Sequence, residues 1–175
     1  MQVMEQPSRS WFDRIVPVSD RYATLPTLDA FSWADAARDA PIGEWYLVVF
    51  RSTRRAGADE DRLTAHDDWA HAEAMAAPGF VHYVKGPLQP DGGCVSFCLW
   101  TSRAEARAAA GRPAHADAVS IVGEMYAEYR LEFLRLRKTD PTGGFAFEPY
   151  DAASLPEADP ARAPSASLSP APGLA

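Results

Sequence analysis

Three features are scarce in this 175-residue sequence, and each scarcity excludes a class of protein. Two cysteines are too few for a disulfide framework or a thiolate zinc site. No apolar run approaches the roughly 20 residues that span a bilayer, and the N-terminus lacks a secretory signal pattern. No large Lys/Arg cluster accompanies the net charge of −7. We therefore expect a cytoplasmic protein that binds neither nucleic acid nor membrane.

The two cysteines, Cys94 and Cys98, fall four residues apart in one predicted strand. Their side chains then share a face about 13 Å apart, whereas a disulfide needs Cα atoms within about 7 Å. We interpret them as small buried residues in a reducing compartment. Arginine outnumbers lysine 15 to 2 and alanine is abundant, a composition typical of a high-GC bacterial genome.

The composition divides the chain into three parts. Residues 1–43 contain Trp11, Phe12, Phe31 and Trp33, which are too apolar to be left in water. This segment is expected to form an arm that carries one short helix before Pro41 and packs on the core or on a partner chain. The middle part, 44–150, is the predicted domain. The last part, 151–175, is mostly Ala, Pro and Ser, and we expect it to be disordered.

Residue patterns in the middle part predict the order β-α-β-β-α-β. Strands are predicted at 44–55, 80–88, 93–101 and 130–138, and a final extended piece at 144–150 adds an edge strand. One helix covers 59–79. A second helical stretch opens with a capping box at Ser102 and Glu105 and is broken by Pro113. Its longer piece carries a predicted buried stripe, which comprises His115, Val119, Val122, Tyr126 and Tyr129.

This order predicts an α+β, ferredoxin-like fold, with a four-stranded antiparallel sheet and its helices on one face. The first strand is apolar on both faces. Trp45, Leu47 and Val49 point to one side, and Tyr46, Val48 and Phe50 point to the other. Since such a strand must be covered on both faces, a second subunit is expected to cover the face away from the helices. The sequence therefore predicts a homodimer.

Several motifs resemble those of antibiotic-biosynthesis-monooxygenase-like proteins, which belong to the dimeric α/β-barrel superfamily. The motifs are Pro78–Phe80 at the start of a strand, Trp100 at the end of the next, Ser102–Ala106 opening a helix, and Pro113–His115. The match covers roughly residues 44–138. This resemblance implies a pocket between the sheet and the helices, with Trp100 near its wall. The asparagine that cofactor-free quinone-forming members use near the end of the first strand has no counterpart, since the chain contains no asparagine.

His82 is the candidate catalytic residue. It shares a strand face with Phe80 and Val84, and histidine alone titrates near neutral pH without help. Its alternative roles are an axial haem ligand or a hydrogen-bonded structural histidine. If no cavity lies within reach of its ring, the role passes to His66 or His71 on the first helix.

Five residues are candidates for substrate binding. The indole of Trp100 can stack on a flat aromatic ligand or simply fill volume, and Tyr126 can point its hydroxyl into the pocket. Arg51 ends the first strand, where a cation can clamp an anion or form a surface ion pair. His66 and Trp69 lie on the first helix, where the five-residue spacing from His66 to His71 does not fit a shared metal site. We expect no metal and no cofactor.

The residue patterns favour a small-molecule-binding protein. The resemblance implies that it is a cofactor-independent monooxygenase-like enzyme acting on a flat aromatic or polyketide-like substrate. Two alternatives stay open, a non-catalytic dimeric binding module and a haem-binding protein. The sequence has neither a Gly-rich phosphate-binding loop nor the G-x-S-x-G elbow of α/β-hydrolases, so it gives no support to these two classes.

Overall fold

Residues 10–150 are described by the structure, which is a computed structural model. Short 3₁₀ turns occupy Trp11–Arg14 and Tyr22–Thr24. The strands and helices that follow are, in chain order, α1 (Thr27–Ala30), α2 (Trp33–Ala37), β1 (Gly43–Arg54), α3 (Glu60–Met75), β2 (Phe80–Lys85), β3 (Gly93–Trp100), α4 (Arg103–Ala110), α5 (Pro113–Ser120), α6 (Val122–Met125), β4 (Tyr126–Lys138) and β5 (Ala146–Pro149). The predicted disordered tail, 151–175, lies outside the described residues.

The strands form one antiparallel sheet in the order β2-β3-β1-β4-β5. Helix α3 connects β1 to β2, and α4 to α6 connect β3 to β4. The first four strands thus have the connectivity of the split βαβ unit, and the predicted α+β, ferredoxin-like fold is confirmed. The edge piece at the C-terminal side is paired to β4, so the sheet has five strands rather than four.

The sheet face away from the helices is covered by the N-terminal arm of the same chain. We call it the arm face, and Leu47, Val49 and Phe97 at its centre are all 0% exposed. Phe31 meets the ring of Phe97 edge-on at 5.0 Å, and Trp33 lies tilted against it at 5.1 Å. The apolar surface from which a second subunit was inferred is therefore already buried within the chain.

Lys138 is a buried polar anchor of the arm. Its side chain is 1% exposed, and Nζ donates to the carbonyl oxygens of Ala37 and Ala40, the latter at 2.8 Å. These carbonyls lie at and just beyond the C-terminal end of α2, where helical carbonyls lack intrahelical partners and a cation is favourable. Strand β4 thus holds the end of the arm in place.

Tyr22 attaches the arm to β3, away from the anchor at Lys138. Its hydroxyl accepts from the amide nitrogen of Val95 at 3.1 Å and donates to the carbonyl oxygen of Pro87 at 3.0 Å. The hydroxyl therefore takes the place of a strand partner for β3 just beyond the end of β2. Gly86 permits this approach, because a Cβ there would overlap both the Tyr22 hydroxyl and the Val95 carbonyl oxygen.

Two predicted helices differ from the structure. The predicted buried stripe is wrong in two respects. Its five members are only half-buried, and the helices stop at Met125, so that Tyr126 and Tyr129 belong to β4. Their backbones pair with Arg54 and Ser52 of β1, and these ladder bonds outweigh a helical spacing of apolar residues. The single helix expected in the arm is two short ones, separated at Phe31, whose extended backbone forms a bridge with Pro17.

The two lysines of the chain provide a matched test of the arm anchor. Lys138→Met leaves the carbonyl oxygens at the end of α2 without partners, so the free energy of unfolding should fall by about 1–3 kcal/mol. Lys85→Met removes a partly exposed ion pair with Asp67, whose carboxylate keeps its hydrogen bond from Tyr83, and should cost less than about 1 kcal/mol. Urea denaturation of both variants measures the difference, and equal losses would contradict the anchoring role of Lys138.

Candidate functional site

Burial differs sharply between the two faces of the sheet. Whereas the centre of the arm face is fully buried, Val48, Phe50 and Cys98 on the opposite side of the same central strands are only half-buried, as is Phe133 of β4. Residues at the centre of a sheet are reached by solvent only where the covering layer is incomplete. We call this incompletely covered space beneath the helices the helix-side cleft.

The small side chains of the helices explain the cleft. Of the 16 residues of α3, Leu63 alone is buried. Helix α4 buries Ala106 and Ala109, and α5 buries none of its residues. Alanine methyl groups reach less far than leucine or phenylalanine side chains, so they leave part of the sheet's apolar surface uncovered. Alanine favours helix formation, but alanine-rich helices bury little apolar surface against the sheet.

An apolar cluster lies at each end of the cleft. Trp100, which is buried, packs with Tyr46 and the α4 alanines at one end, and its ring meets Phe80 edge-on at 5.3 Å. Leu63, Ile121 and Met125 form the second cluster at the other end, where Tyr126 packs against them. Trp100 and Tyr126, both predicted as pocket walls, therefore lie on the helix side of the sheet.

Asp67 is the electrostatic centre of the cleft. Its carboxylate accepts a hydrogen bond from the Tyr83 hydroxyl at 2.8 Å and another from Lys85 Nζ at 2.7 Å. Helical spacing places Asp67 one turn beyond Leu63, on the side of α3 that faces the sheet. The negative charge consequently acts on the weakly acidic side chains around it.

These weak acids are kept protonated. Burial, followed by the charge of Asp67, raises the pKa of Tyr83 above its ordinary value and that of the Cys98 thiol to about 12. Burial also raises the pKa of Tyr129, with Tyr126, Cys98 and Asp67 adding to it, and that of Tyr126. At neutral pH the cleft therefore presents neutral hydroxyl groups and one thiol as hydrogen-bond donors.

Among the described residues, two of these hydroxyl groups make no hydrogen bond to another residue. The rings of Tyr126 and Tyr129 lie 5.3 Å apart, and within residues 10–150 neither hydroxyl makes a hydrogen bond. Half-buried polar groups of this kind are satisfied by solvent or by a ligand. Both donors are thus available to the acceptor atoms of a bound molecule.

His82 lies on the opposite side of the sheet from Trp100 and Tyr126. It pairs with Leu99 on β3 and stacks on Phe12 of the arm, with the ring centroids 4.6 Å apart. Burial lowers its pKa, which the charge of Asp13 partly offsets. The structure therefore does not bring the predicted base together with the predicted walls, since the bulge in β2 and the arm fix His82 against Phe12.

The remaining predicted residues are distributed around the helices and the arm. Trp69 is 60% exposed on α3 and meets the ring of His66 edge-on at 5.6 Å. His66 is half-buried, and its Nδ1 has no hydrogen-bond partner. His71 lies nearer to the sheet, 5.0 Å from the ring of Tyr83. Arg51 belongs to the arm face, where its Nε donates to Glu132 at 2.9 Å.

Asp67, Tyr83 and Tyr129 were not predicted from the sequence as site residues. A signal for Asp67 was present, because it shares the inward side of α3 with Leu63. Tyr83 and Cys98 were also detectable as directly paired residues of neighbouring strands once the register was known. Within residues 10–150, no three His, Cys, Asp or Glu side chains are grouped to hold a metal ion. Among the helices of that range, none has the length and apolar character needed to cross a membrane.

Comparison with known proteins places the chain in a family. Residues 6–149 match the model of the PB2B2.08-like family. The chain belongs to this family. A curated relative, UPF0643 protein PB2B2.08 of Schizosaccharomyces pombe, is 25% identical over a 147-residue alignment that covers 74% of this chain and 67% of that protein. Because that relative is from a yeast, the bacterial origin inferred from composition has no support.

The solved structures that are similar to this chain include an oxygenase and a putative antibiotic biosynthesis monooxygenase. SnoaB, a cofactor-independent oxygenase from Streptomyces nogalater, is 17% identical with a TM-score of 0.46, covering 57% of this chain and 98% of its own. A putative antibiotic biosynthesis monooxygenase from Chloroflexus aurantiacus is 20% identical with a TM-score of 0.43, covering 57% and 97%. A dimeric ferredoxin-like protein of unknown function from Thermobifida fusca is 15% identical with a TM-score of 0.44, covering 55% and 92%.

The thiol of Cys98 tests the electrostatics of the cleft. In a Cys94→Ala background, iodoacetamide should alkylate Cys98 slowly at pH 8, with a rate that rises about tenfold per pH unit up to pH 10, because only the thiolate reacts. Asp67→Asn removes the negative charge that disfavours the thiolate, so alkylation should become faster at every pH. A rate that levels off near pH 9 would contradict the raised pKa.

Proposed function

We propose that this protein binds a flat, largely apolar small molecule in the helix-side cleft. The observation that carries the proposal is the half-burial of Val48, Phe50 and Cys98 on central strands whose other face is fully buried. Apolar surface left open beneath a helical layer is the usual setting of a small-molecule site. An occupant would complete the core that the alanines of the helices leave incomplete.

The polar groups of the cleft indicate the kind of occupant. Tyr126 and Tyr129 offer hydroxyl donors at one end, while Val48, Phe50 and Phe133 supply an apolar floor. A planar molecule with carbonyl or hydroxyl oxygens at one edge satisfies both requirements. A flat aromatic or polyketide-like compound, the class expected from the sequence, has this chemistry.

The proposal extends to cofactor-independent oxygenation through Asp67. In such a reaction a hydroxyanthrone and O₂ give a hydroxyanthraquinone and water, and the first step removes a proton from the ring carbon. Asp67 is the anionic acceptor in the cleft, and Tyr83 and Lys85 hold its carboxylate in position. His82 has no part in this step, because the sheet separates it from the cleft.

The homodimer also stays a prediction. Since the arm covers the face on which it was based, a dimer would use another surface, and the exposed indole of Trp69 on α3 is available for it. Light scattering distinguishes a 19.1 kDa monomer from a particle of twice that mass.

Two alanines of α3 provide the test of the cleft. Ala70 is half-buried and lies on the side of α3 that carries Leu63 and Asp67, whereas Ala72 is exposed on the same helix. Titration with 1,8-dihydroxyanthraquinone should show saturable binding to the wild-type protein and to Ala72→Leu. Ala70→Leu should weaken binding at least tenfold, because the added methyl groups occupy the ligand's space.

The stability of Ala70→Leu separates an open cleft from a packed core. In an open cleft the leucine keeps or raises the melting temperature, whereas in a packed one it costs about 1–3 kcal/mol. Catalysis is measured as O₂ consumption with 1,8-dihydroxyanthrone, which Asp67→Asn should abolish while binding persists. Equal binding by Ala70→Leu and Ala72→Leu would overturn the proposed site.

A further inference from the structure

A second concave surface lies along the arm, and the lining of its smaller cavity includes Ser52 and Tyr129, two residues of the helix side. Two cavities of about 580 and 550 Å³ adjoin there, since Ala23, Thr24, Arg51 and Arg130 line both. We call the pair the arm groove. Each volume falls within the range of roughly 300–1,000 Å³ that small-molecule sites occupy.

The larger cavity has one apolar end and one charged end. The apolar end is lined by Leu25 and Pro26 of the arm, Leu134 of β4 and Phe147 of β5. The charged end carries Arg51, Arg130 and Glu132. The smaller cavity adds the acidic residues Asp91 and Glu128 and is therefore less suited to an anion.

Arg51 and Arg130 are directly opposed on β1 and β4. Like charges in this position repel each other and are destabilising unless they are compensated. Arg51 is compensated, because its Nε donates to Glu132 at 2.9 Å and its Nη1 to the Ala23 carbonyl oxygen at 2.7 Å. Thr27 adds a hydrogen bond to the same carboxylate at 2.8 Å, so Glu132 is fully engaged by the arm and β1.

Arg130 is left without such compensation. It is exposed, and within residues 10–150 no hydrogen bond or ion pair engages its guanidinium. Its charge acts on Glu132: burial tends to raise the pKa of that carboxyl, but hydrogen bonds from Arg51 and Thr27 and the charges of Arg51 and Arg130 hold it below its ordinary value. Because Arg51 and Glu132 neutralise each other, the larger cavity carries one net positive charge.

We propose that the larger cavity of the arm groove binds a small molecule made of an apolar body and a carboxylate. The carboxylate pairs with the guanidinium of Arg130, whose planar donors suit a bidentate contact. The apolar body lies between Leu25 on the arm and Leu134 and Phe147 on the sheet. Such a ligand touches the arm and the sheet at once, so its binding also strengthens the attachment of the arm.

The test compares two naphthalene compounds that differ in charge. By calorimetric titration, 2-naphthoate should bind the wild-type protein at least tenfold more tightly than the neutral 2-naphthylmethanol. Arg130→Gln should reduce this preference to less than about twofold. Arg38→Gln is the matched control, since Arg38 is an exposed arginine directly after α2 whose side chain is 74% accessible, and it should leave the preference unchanged.

A second variant tests the position of the site without altering charge. Thr24 is exposed and lines both cavities, so Thr24→Trp should fill the groove and weaken naphthoate binding at least tenfold in a folded protein. Amide chemical shifts should change at residues 23–28 and 130–134. The proposal is overturned if naphthoate shows no preference over the alcohol, if Arg38→Gln matches Arg130→Gln, or if the shifts fall in the helix-side cleft. These outcomes leave the anthraquinone test of the cleft unaffected.

Discussion

The structure depends on one constraint, which is that both apolar faces of the sheet must be covered. The central strands carry large side chains on both faces, and two layers are needed to remove them from water. The helices supply one layer, and the arm, residues 10–40, supplies the other. Phe31 and Trp33 pack on Phe97, while Lys138, Tyr22 and the Arg51–Glu132 pair hold the arm where these rings lie.

The two layers are not equivalent, and the difference locates the candidate functional site. The arm brings bulky aromatic rings to the sheet and buries the centre of its face completely. The helices bring alanines, so the sheet beneath them stays partly open around Asp67 and the tyrosines of β2 and β4. The tightly packed arm layer thus stabilises the domain. The helix layer leaves apolar surface open, where a ligand can bind.

Local patterns predicted most of the fold but not the arrangement of the site. Alternating apolar residues and the Pro-Gly turns were sufficient for the strands, for α3 and for the ferredoxin-like order, because these are signals of short range. The helical spacing of Tyr126 and Tyr129 led to a wrong prediction of helix, because pairing with β1 makes both residues part of a strand. His82 was placed with Trp100 in one pocket, but strand alternation could not show that the bulge after Phe80 puts them on opposite faces. Which layer covers each face depends on contacts between residues far apart in sequence.

Hydroxyl-radical footprinting of the full chain tests the difference between the two faces most directly. Phe50 and Phe97 belong to adjacent central strands but lie on opposite faces of the sheet, so they form an internal comparison. We predict measurable oxidation of Phe50 and protection of Phe97 in the native protein. Oxidation of Phe97 at the rate of Phe50 would show that the arm does not cover its face. Equal protection of both would show that the helix-side cleft is closed.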